Sequence, residues 1–302
     1  MPREHHLLTD TRSDARFGVL AASFAYAIWG LTPIYFKAMR EVPALEIIGH
    51  RVAWSVVFLV LLLVWKRQLG DTWRLALDRG KRRLLALTSA LVISNWFLFV
   101  WAVNAGRVLD TSLGYFMMPL MYVLLGRLFL HERLSPSQWL AVGLAASGVA
   151  LRVFDRGELP WVSLLIAMSF GLYGLLRKRE AVDSFQGLLV ETTLALPFAL
   201  AYLLWLESTG AGHFGHAAGH SSWLLVAAGP ITAIPLLLFA MGARRLRLAT
   251  MGFLQYIGPT LTFFLAVFVY GEHFSPVQGF AFALIWVGLA VYSGDAWRRG
   301  GS

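Results

Sequence analysis

The chain has 302 residues, of which 58% are hydrophobic and only 14% are charged, whereas about 25% of the residues of an ordinary soluble domain are charged. This composition excludes a soluble globular domain, a disordered chain, a collagen, a coiled coil and a disulfide-rich mini-protein, and it leaves a polytopic α-helical membrane protein. The net charge of +9 lies mostly in short loops between apolar segments, so we expect contacts with anionic lipid head groups and no nucleic-acid partner.

Ten apolar segments follow a polar tail at residues 1–16, and each is long enough to cross a hydrocarbon core of about 30 Å as a helix. In chain order they are 17–36, 45–65, 84–106, 108–130, 134–151, 159–176, 185–206, 222–242, 248–271 and 274–294. The longest predicted loop, 66–83, carries seven basic residues. The 19 Lys and Arg residues of the two tails and of alternate loops far outnumber those of the opposite loops, which predicts that both termini are cytoplasmic.

The two halves of the chain resemble each other at an offset of 140 residues. Residues 132–138 align with 272–278, Pro119 with Pro259, and Gly148 with Gly288. Each half, 17–153 and 159–294, holds five predicted spans, so the second copy is inverted in the membrane, and residues 295–302 form a C-terminal tail. The predicted fold is therefore all-α, with ten transmembrane helices in two inverted five-helix repeats. Such repeats are typical of secondary transporters that work by alternating access; a duplicated membrane protein without transport activity is the alternative.

Several stretches together resemble the RarD-type permeases of the EamA group, in the drug/metabolite transporter superfamily. They are 26–30, 50–55, 95–96, 101–104, 112–116, 173–178, 191–192, 245–248 and, as the strongest, Gly-Phe-Leu-Gln-Tyr-Ile-Gly-Pro-Thr at 252–260. The resemblance implies ten helices in two repeats, the inner membrane of bacteria, and names linked to chloramphenicol sensitivity or resistance. One position departs from the family, because Met118 stands where relatives usually carry Asn before the proline.

Two charged residues lie inside predicted spans at equivalent places in the repeat, Arg51 and Glu191. Ionisable groups in hydrocarbon are costly and usually mark pathways or proton relays. Arg51 is a candidate for attracting an anionic substrate group, and Glu191 is a candidate for a coupling proton. The alternatives are that each extends to an interface or that the two form a buried structural pair.

Neutral candidates lie on the fourth and ninth spans, which are loosened by glycine and proline. Such paired interruptions point to substrate sites in transporters. The candidate hydrogen-bonding residues are Tyr115, Gln255 and Tyr256, and the candidate helix breaks are Gly114, Pro119, Gly258 and Pro259. Asn95 and Trp29 are further substrate-binding candidates, with interhelical packing as their alternative role. Tyr35, Trp96 and Trp101 are also aromatic residues suited to stacking.

Other polar residues favour structural roles. Glu46 is predicted to anchor at an interface. Asp110 is predicted to stabilise the start of a helix, with a proton site as the alternative. Glu132 and Glu272 are predicted to lie at the solvent edge, with a gate contribution as the alternative. A Gly-rich stretch holds His213, His216 and His220 and is predicted to be a flexible loop, with a zinc or proton sensor as the alternative. We predict no metal site and no cofactor.

Catalytic signatures are absent from the sequence. It contains no His-Glu-x-x-His, no Gly-x-Ser-x-Gly and no P-loop, so an enzyme and an ATP-driven pump are disfavoured. We predict a secondary transporter of a small molecule in the lipid bilayer, exporting metabolites or drugs, with proton coupling as one mode of energisation. An importer, exchanger or uniporter is the alternative, and a membrane scaffold or intramembrane enzyme is more remote.

Overall fold

The structure is a computed structural model that describes residues 3–129, 131, 133–179, 182–215, 221–243, 245–246, 250–251 and 254–300. All regular elements in this part of the chain are helical. The helices are α1 (Arg3–Lys37), α2 (Ala44–Trp65), α3 (Leu69–Leu77), α4 (Arg79–Asn104), α5 (Val108–Phe129), α6 (Pro136–Arg156), α7 (Trp161–Arg179), α8 (Ser184–Ser208), α9 (Ser221–Ala243), α10 (Ile257–Phe264) and α11 (Pro276–Gly300).

Eight of the described helices are long and apolar enough to cross a membrane: α1, α2, α4, α5, α6, α8, α9 and α11. They coincide with eight of the ten predicted spans. The predicted spans 159–176 and 248–271 correspond to shorter apolar helices, Trp161–Arg177 and Ile257–Val269. The protein is therefore an all-helical, multi-pass membrane protein. Helix α1 begins at Arg3, within the segment predicted to be a polar tail.

Helix α3 corrects the prediction of a loop at 66–83. Its nine residues are amphipathic, and Leu69, Trp73 and Leu77 lie on one face because they are spaced four residues apart. All three are exposed in the isolated chain, whereas Thr72 on another face is buried. Basic residues before, within and after the helix made the segment resemble a loop. An exposed apolar stripe beside basic residues is typical of a helix that lies in the membrane interface.

Three helix pairs join helices that hold the same serial position in the two halves of the sequence. Helix α2 packs against α8, α5 against α10, and α6 against α11. Helix α1 packs against α9 and α10, and α7 packs in the corresponding way against α4 and α5. Each half of the sequence therefore contributes its first helix to a groove formed mainly by the other half.

The contact between α6 and α11 is built twice from the same parts. A Cβ atom at Gly148 would lie 2.8 Å from the carbonyl oxygen of Ala281, and one at Gly288 would lie 2.9 Å from that of Ala141. Such distances are too short for any side chain, so glycine permits the two backbones to approach. The result is a tightly packed helix pair.

The ends of this helix pair repeat the same pattern. Ser135 and Gln138 form a capping box at the start of α6, and Ser275 and Gln278 make the same two hydrogen bonds before α11. Each capping serine also donates to an aspartate at the far end of the partner helix. Ser135 donates to Asp295 at 3.0 Å, and Ser275 donates to Asp155 at 3.4 Å.

Candidate functional site

Arg51 lies inside α2, seven residues and therefore about 10 Å beyond the start of the helix. Its guanidinium Nε donates to the Thr232 hydroxyl of α9 at 2.9 Å. The Thr232 hydroxyl in turn donates to the carbonyl oxygen of Ala228, so it is oriented to accept from Arg51. The arginine keeps part of its surface accessible, although it lies among buried apolar side chains of the main core.

Aromatic rings surround the guanidinium. Its central carbon lies 3.9 Å from the centroid of the Trp96 ring and 5.7 Å from that of Phe36. Cation–π contacts of this kind stabilise a cation by about 0.5 to 2 kcal/mol, and more strongly when water is excluded. Tyr35 and Tyr115 are close enough to interact electrostatically with the same charge. We call Arg51, Tyr35, Phe36, Trp96, Tyr115 and Thr232 the Arg51 cluster.

The neutral polar groups of this cluster and of the neighbouring Asn95 are hydrogen-bonded to other protein groups. The hydroxyl of Tyr35 donates to the carbonyl oxygen of Leu224. Tyr115 lies 3.5 Å from Asn95 Oδ1, and the Asn95 amide donates to the carbonyl oxygen of Ile166 at 3.1 Å and to Ser169 at 2.9 Å. The structure therefore brings three predicted site residues together, Arg51, Tyr115 and Asn95, and Asn95 also links α4 to α7.

Glu191 lies at the corresponding depth of α8, in different surroundings. Its carboxylate accepts from the Thr88 hydroxyl at 2.6 Å and from the Tyr173 hydroxyl at 3.2 Å, and it lies 3.8 Å from Arg177 Nε. The residue is fully buried. We call Glu191, Thr88, Tyr173 and Arg177 the Glu191 cluster. Within the described residues no ion pair joins Arg51 to Glu191. The buried structural pair, which was one alternative for these two residues in the sequence analysis, is therefore not formed.

The remaining hydrogen-bonding candidates lie elsewhere. Tyr256 stacks on Phe116 with ring centroids 6.4 Å apart, between α5, α10 and α11. Gln255 is half-buried in the turn before α10. Trp29 packs against Tyr26 and Phe239, with centroids 5.5 and 5.9 Å away, in the contact between α1 and α9. Among the other aromatic candidates, Trp101 packs on Trp161.

The four candidate helix breaks divide into two kinds. Helix α5 continues through Gly114 and Pro119, and a Cβ at Gly114 would lie 2.9 Å from the carbonyl oxygen of Ser163 in α7. The ninth span is interrupted at the turn 255–256, so Gly258 and Pro259 lie in the first turn of α10, and the span ends in a π-helical turn at Leu265–Val269. The Pro259 carbonyl oxygen accepts from Ser112 of α5. Met118, where the family usually has Asn, is a buried core residue.

Two acidic residues that the sequence predicted at edges bind other elements of the fold. Glu46 is buried and accepts from the backbone N–H of His213 at 2.7 Å and lies 2.8 Å from its Nδ1. Glu272 accepts from the backbone N–H groups of Val108 and Leu109 at 2.6 and 2.8 Å, so it caps α5. Burial raises the pKa of the Glu272 carboxyl, and the two N–H donors lower it.

Asp110 is buried in the first turn of α5 and pairs with Arg107 and Arg152. His216, His220 and Glu132 lie outside the described residues. No group of three potential metal ligands occurs in the part of the chain that the structure describes. Sequence reasoning missed Thr232, Thr88, Tyr173 and Arg177 as partners of the two charged candidates. A lone threonine in an apolar span carries no signal of its partner, whereas Tyr173 and Arg177 lie in a stretch that carried the family resemblance.

Comparison with known proteins places this arrangement in a family. The profile of the EamA-like transporter family matches twice, at residues 16–154 and 159–294. An uncharacterized transporter of Vibrio cholerae is 47% identical over 97% of each chain. Protein RarD of Salmonella typhimurium is 50% identical, over 93% of this chain and 96% of the relative. The chloramphenicol-sensitive protein RarD of Pseudomonas aeruginosa is 36% identical, over 93% and 95%.

A solved crystal structure of another protein has the same fold, with a TM-score of 0.58 over 91% of this chain and 96% of that chain, at 17% identity. The family profile covers most of the chain, and several relatives are aligned over nearly their whole length. The chain belongs to the EamA-like transporter family.

Proposed function

We propose that the protein is a secondary transporter that moves a small molecule across the bacterial inner membrane by alternating access between two inverted five-helix halves, 17–153 and 159–294. The observation that carries this proposal is that equivalent helices of the two halves pack on each other: α2 on α8, α5 on α10 and α6 on α11. Helices α7 and α10 serve as the sixth and ninth spans. Two halves that pack through equivalent helices have two related arrangements, which is what opening to either side requires.

The pair α6 and α11 supports a fixed contact between the halves. It is joined by the two glycine contacts and by the reciprocal Ser135–Asp295 and Ser275–Asp155 hydrogen bonds. The contacts of α2 with α9 and of α8 with α4 carry the Arg51 and Glu191 clusters instead. In the orientation that the basic residues predict, with both termini in the cytoplasm, the Arg51 cluster lies in the outer half of the membrane and the Glu191 cluster in the inner half.

Export of metabolites or drugs is the direction that we propose, by analogy with the superfamily and with the relative named for chloramphenicol sensitivity. Import, exchange and uniport are the alternatives. A membrane scaffold or intramembrane enzyme remains a more distant alternative. Glu191 is our candidate for a coupling proton because a buried carboxyl with three partners changes its contacts when it is protonated.

Alternating access can be tested without knowing the substrate, because the chain has no cysteine. Ser55 in α2 and Ser89 in α4 are both buried, and each lies close to one of the two charged clusters. We expect Ser55→Cys and Ser89→Cys to react with impermeant thiol reagents from opposite sides of the membrane. In the double variant, labelling of one cysteine with a bulky reagent should slow labelling of the other. Independent rates would contradict alternating access.

Transport and coupling are tested in proteoliposomes that contain a pH-sensitive dye. Amino acids, amphenicols and small organic anions are screened under an imposed pH gradient, with counterflow of labelled compounds as the measure of transport. We expect Glu191→Gln to lose substrate-dependent proton movement but to retain counterflow. The matched control is Asp71→Asn, which changes an exposed acid of α3 and should retain both. Proton movement that survives in Glu191→Gln would remove Glu191 from the coupling mechanism, and counterflow without proton movement in the wild type would indicate a uniporter or exchanger.

A further inference from the structure

We propose that Arg51 binds the carboxylate of a small organic acid and that the aromatic rings of the Arg51 cluster contact the apolar body of this acid. The inference rests on the proposed transport function, to which it adds the chemical class of the substrate. It starts from a cation that lies about 10 Å inside a membrane-spanning helix and keeps part of its surface accessible.

The charge of Arg51 has no protein counterion within the described residues. The buried acids that could provide one are engaged elsewhere: Glu46 with His213, Glu191 with Thr88, Tyr173 and Arg177, and Asp110 with Arg107 and Arg152. An unpaired charge in a low-dielectric interior is costly. An anionic ligand that reaches this position is therefore favoured over a neutral one.

The geometry of the guanidinium is fixed before any ligand arrives. Its Nε is bound to Thr232 and its face is covered by Trp96 at 3.9 Å. The two Nη groups then present one N–H donor each along their shared edge, and among the described residues no acceptor is bound to them. A guanidinium edge of this kind matches the two oxygens of a carboxylate in a bidentate pair.

The side chains around Arg51 indicate the chemistry of the part of the ligand other than its carboxylate. Phe36 and Trp96 are buried apolar rings next to the half-buried ring of Tyr115. Phe99 belongs to the same group, with its ring centroid 5.8 Å from that of Tyr115 and 6.0 Å from that of Phe36. The hydroxyls of Tyr35 and Tyr115 already donate to protein oxygens. Because the rings are apolar and both tyrosine hydroxyls are engaged, an acid with an aromatic or branched aliphatic body fits best.

The Glu191 cluster shows the contrast within the same molecule. At the equivalent place in α8 the charge is buried completely and is surrounded by an arginine, a tyrosine and a threonine. The completely buried carboxylate of Glu191 thus has both hydrogen-bond donors and an oppositely charged neighbour. Arg51 also has a threonine and two tyrosines beside it, but among the described residues it has no oppositely charged neighbour.

The experiment measures ligand-dependent thermal stabilisation of the purified full-length protein. The probes are benzoate, 3-phenylpropanoate and 4-methylpentanoate, each compared with its own primary amide, which has nearly the same shape and no charge. We expect at least one acid to raise the melting temperature of the wild type while its amide does not. In Arg51→Gln the affinity for that acid should fall at least about 30-fold, as expected when one partner of a buried charge pair is removed.

Two further variants separate binding from folding. Arg51→Lys retains the charge but not the bidentate edge, so we expect about tenfold weaker binding, and Arg74→Gln, which changes an exposed arginine of α3, should bind as the wild type does. If Arg51→Gln does not fold, the comparison of acid with amide in the wild type and the Arg51→Lys variant still decides. Equal stabilisation by acid and amide, stabilisation by no acid of the panel, or full affinity in Arg51→Lys would overturn the proposal.

The same probes distinguish this inference from the transport function on which it rests. Counterflow of a neutral compound, with no preference for acids in binding, would leave the transporter standing and remove the carboxylate site. Acid binding that requires Arg51, without counterflow of any probe, would support the site and overturn transport.

Discussion

Arg51 and Glu191 occupy equivalent positions in the two halves of the chain but carry opposite charges and have different neighbours. Both residues lie seven positions into equivalent helices, and both bind a threonine of a helix from the other half, Thr232 and Thr88. Only Glu191 has an oppositely charged neighbour among the described residues, Arg177 at 3.8 Å. The sequence was sufficient to identify both charged residues, because a charge in an apolar span is rare. It could not identify their partners, since these come from helices whose packing is not encoded locally.

Thr232 is expected to matter as an acceptor rather than as a side chain of a given size. Thr232→Val retains the shape but leaves Arg51 Nε without its acceptor, and an unsatisfied buried donor costs about 1 to 3 kcal/mol. We expect a lower melting temperature for Thr232→Val in thermal unfolding of the detergent-solubilised protein. Thr232→Ser keeps the hydroxyl and is the control; equal melting temperatures of the Val and Ser variants would show that the hydrogen bond does not contribute.

The pairing of Glu191 with Arg177 is open to a double-mutant cycle. Glu191→Leu leaves a largely buried arginine, 13% exposed in its side chain, without its counterion, and we expect a loss of about 3 to 5 kcal/mol in the free energy of unfolding. Arg177→Met combined with Glu191→Leu should restore much of this loss, because an apolar pair carries no uncompensated charge. Losses that simply add in the double variant would mean that the two side chains are not coupled.

At the scale of the elements, hydropathy predicted where most helices lie, because an apolar span long enough to cross a bilayer has few alternatives. It did not predict α3, whose nine residues are too few to cross the membrane and are flanked by basic residues. It also did not predict that the ninth span is interrupted at the turn 255–256 while α5 continues through Pro119. The two spans have similar glycine and proline signals, so their different outcomes depend on tertiary contacts.

The close contact between α6 and α11 predicts opposite effects for two glycines of one helix. Gly148→Ala would bring a Cβ to 2.8 Å from the Ala281 carbonyl oxygen, whereas Gly143→Ala meets nothing within 4 Å. We expect Gly148→Ala to lower the melting temperature. Gly143→Ala should raise it slightly, since alanine is favoured over glycine in a helix by about 0.5 to 1 kcal/mol. Equal effects would show that α6 and α11 are not in close contact in the membrane.

For the whole molecule, the orientation is predicted by charge alone. Reporter domains fused at the C-terminus and within the 66–83 segment should both be cytoplasmic, because basic loops are retained on that side. A fluorescent reporter active only in the cytoplasm and a phosphatase active only in the periplasm provide the two readouts. Phosphatase activity at either fusion point would reverse the orientation and exchange the sides assigned to the Arg51 and Glu191 clusters.

Glu272 connects the two halves of the chain at a further point. It belongs to the second half, yet it holds the backbone N–H groups of Val108 and Leu109 at the start of α5, in the first half. A relative rotation of the halves must therefore either draw the first turn of α5 with it or release both hydrogen bonds. Tyr115 lies seven residues further along the same helix, which is continuous between the two points. If the halves move as proposed above, the Glu272 carboxylate would couple movement at one surface of the membrane to the interior of the protein.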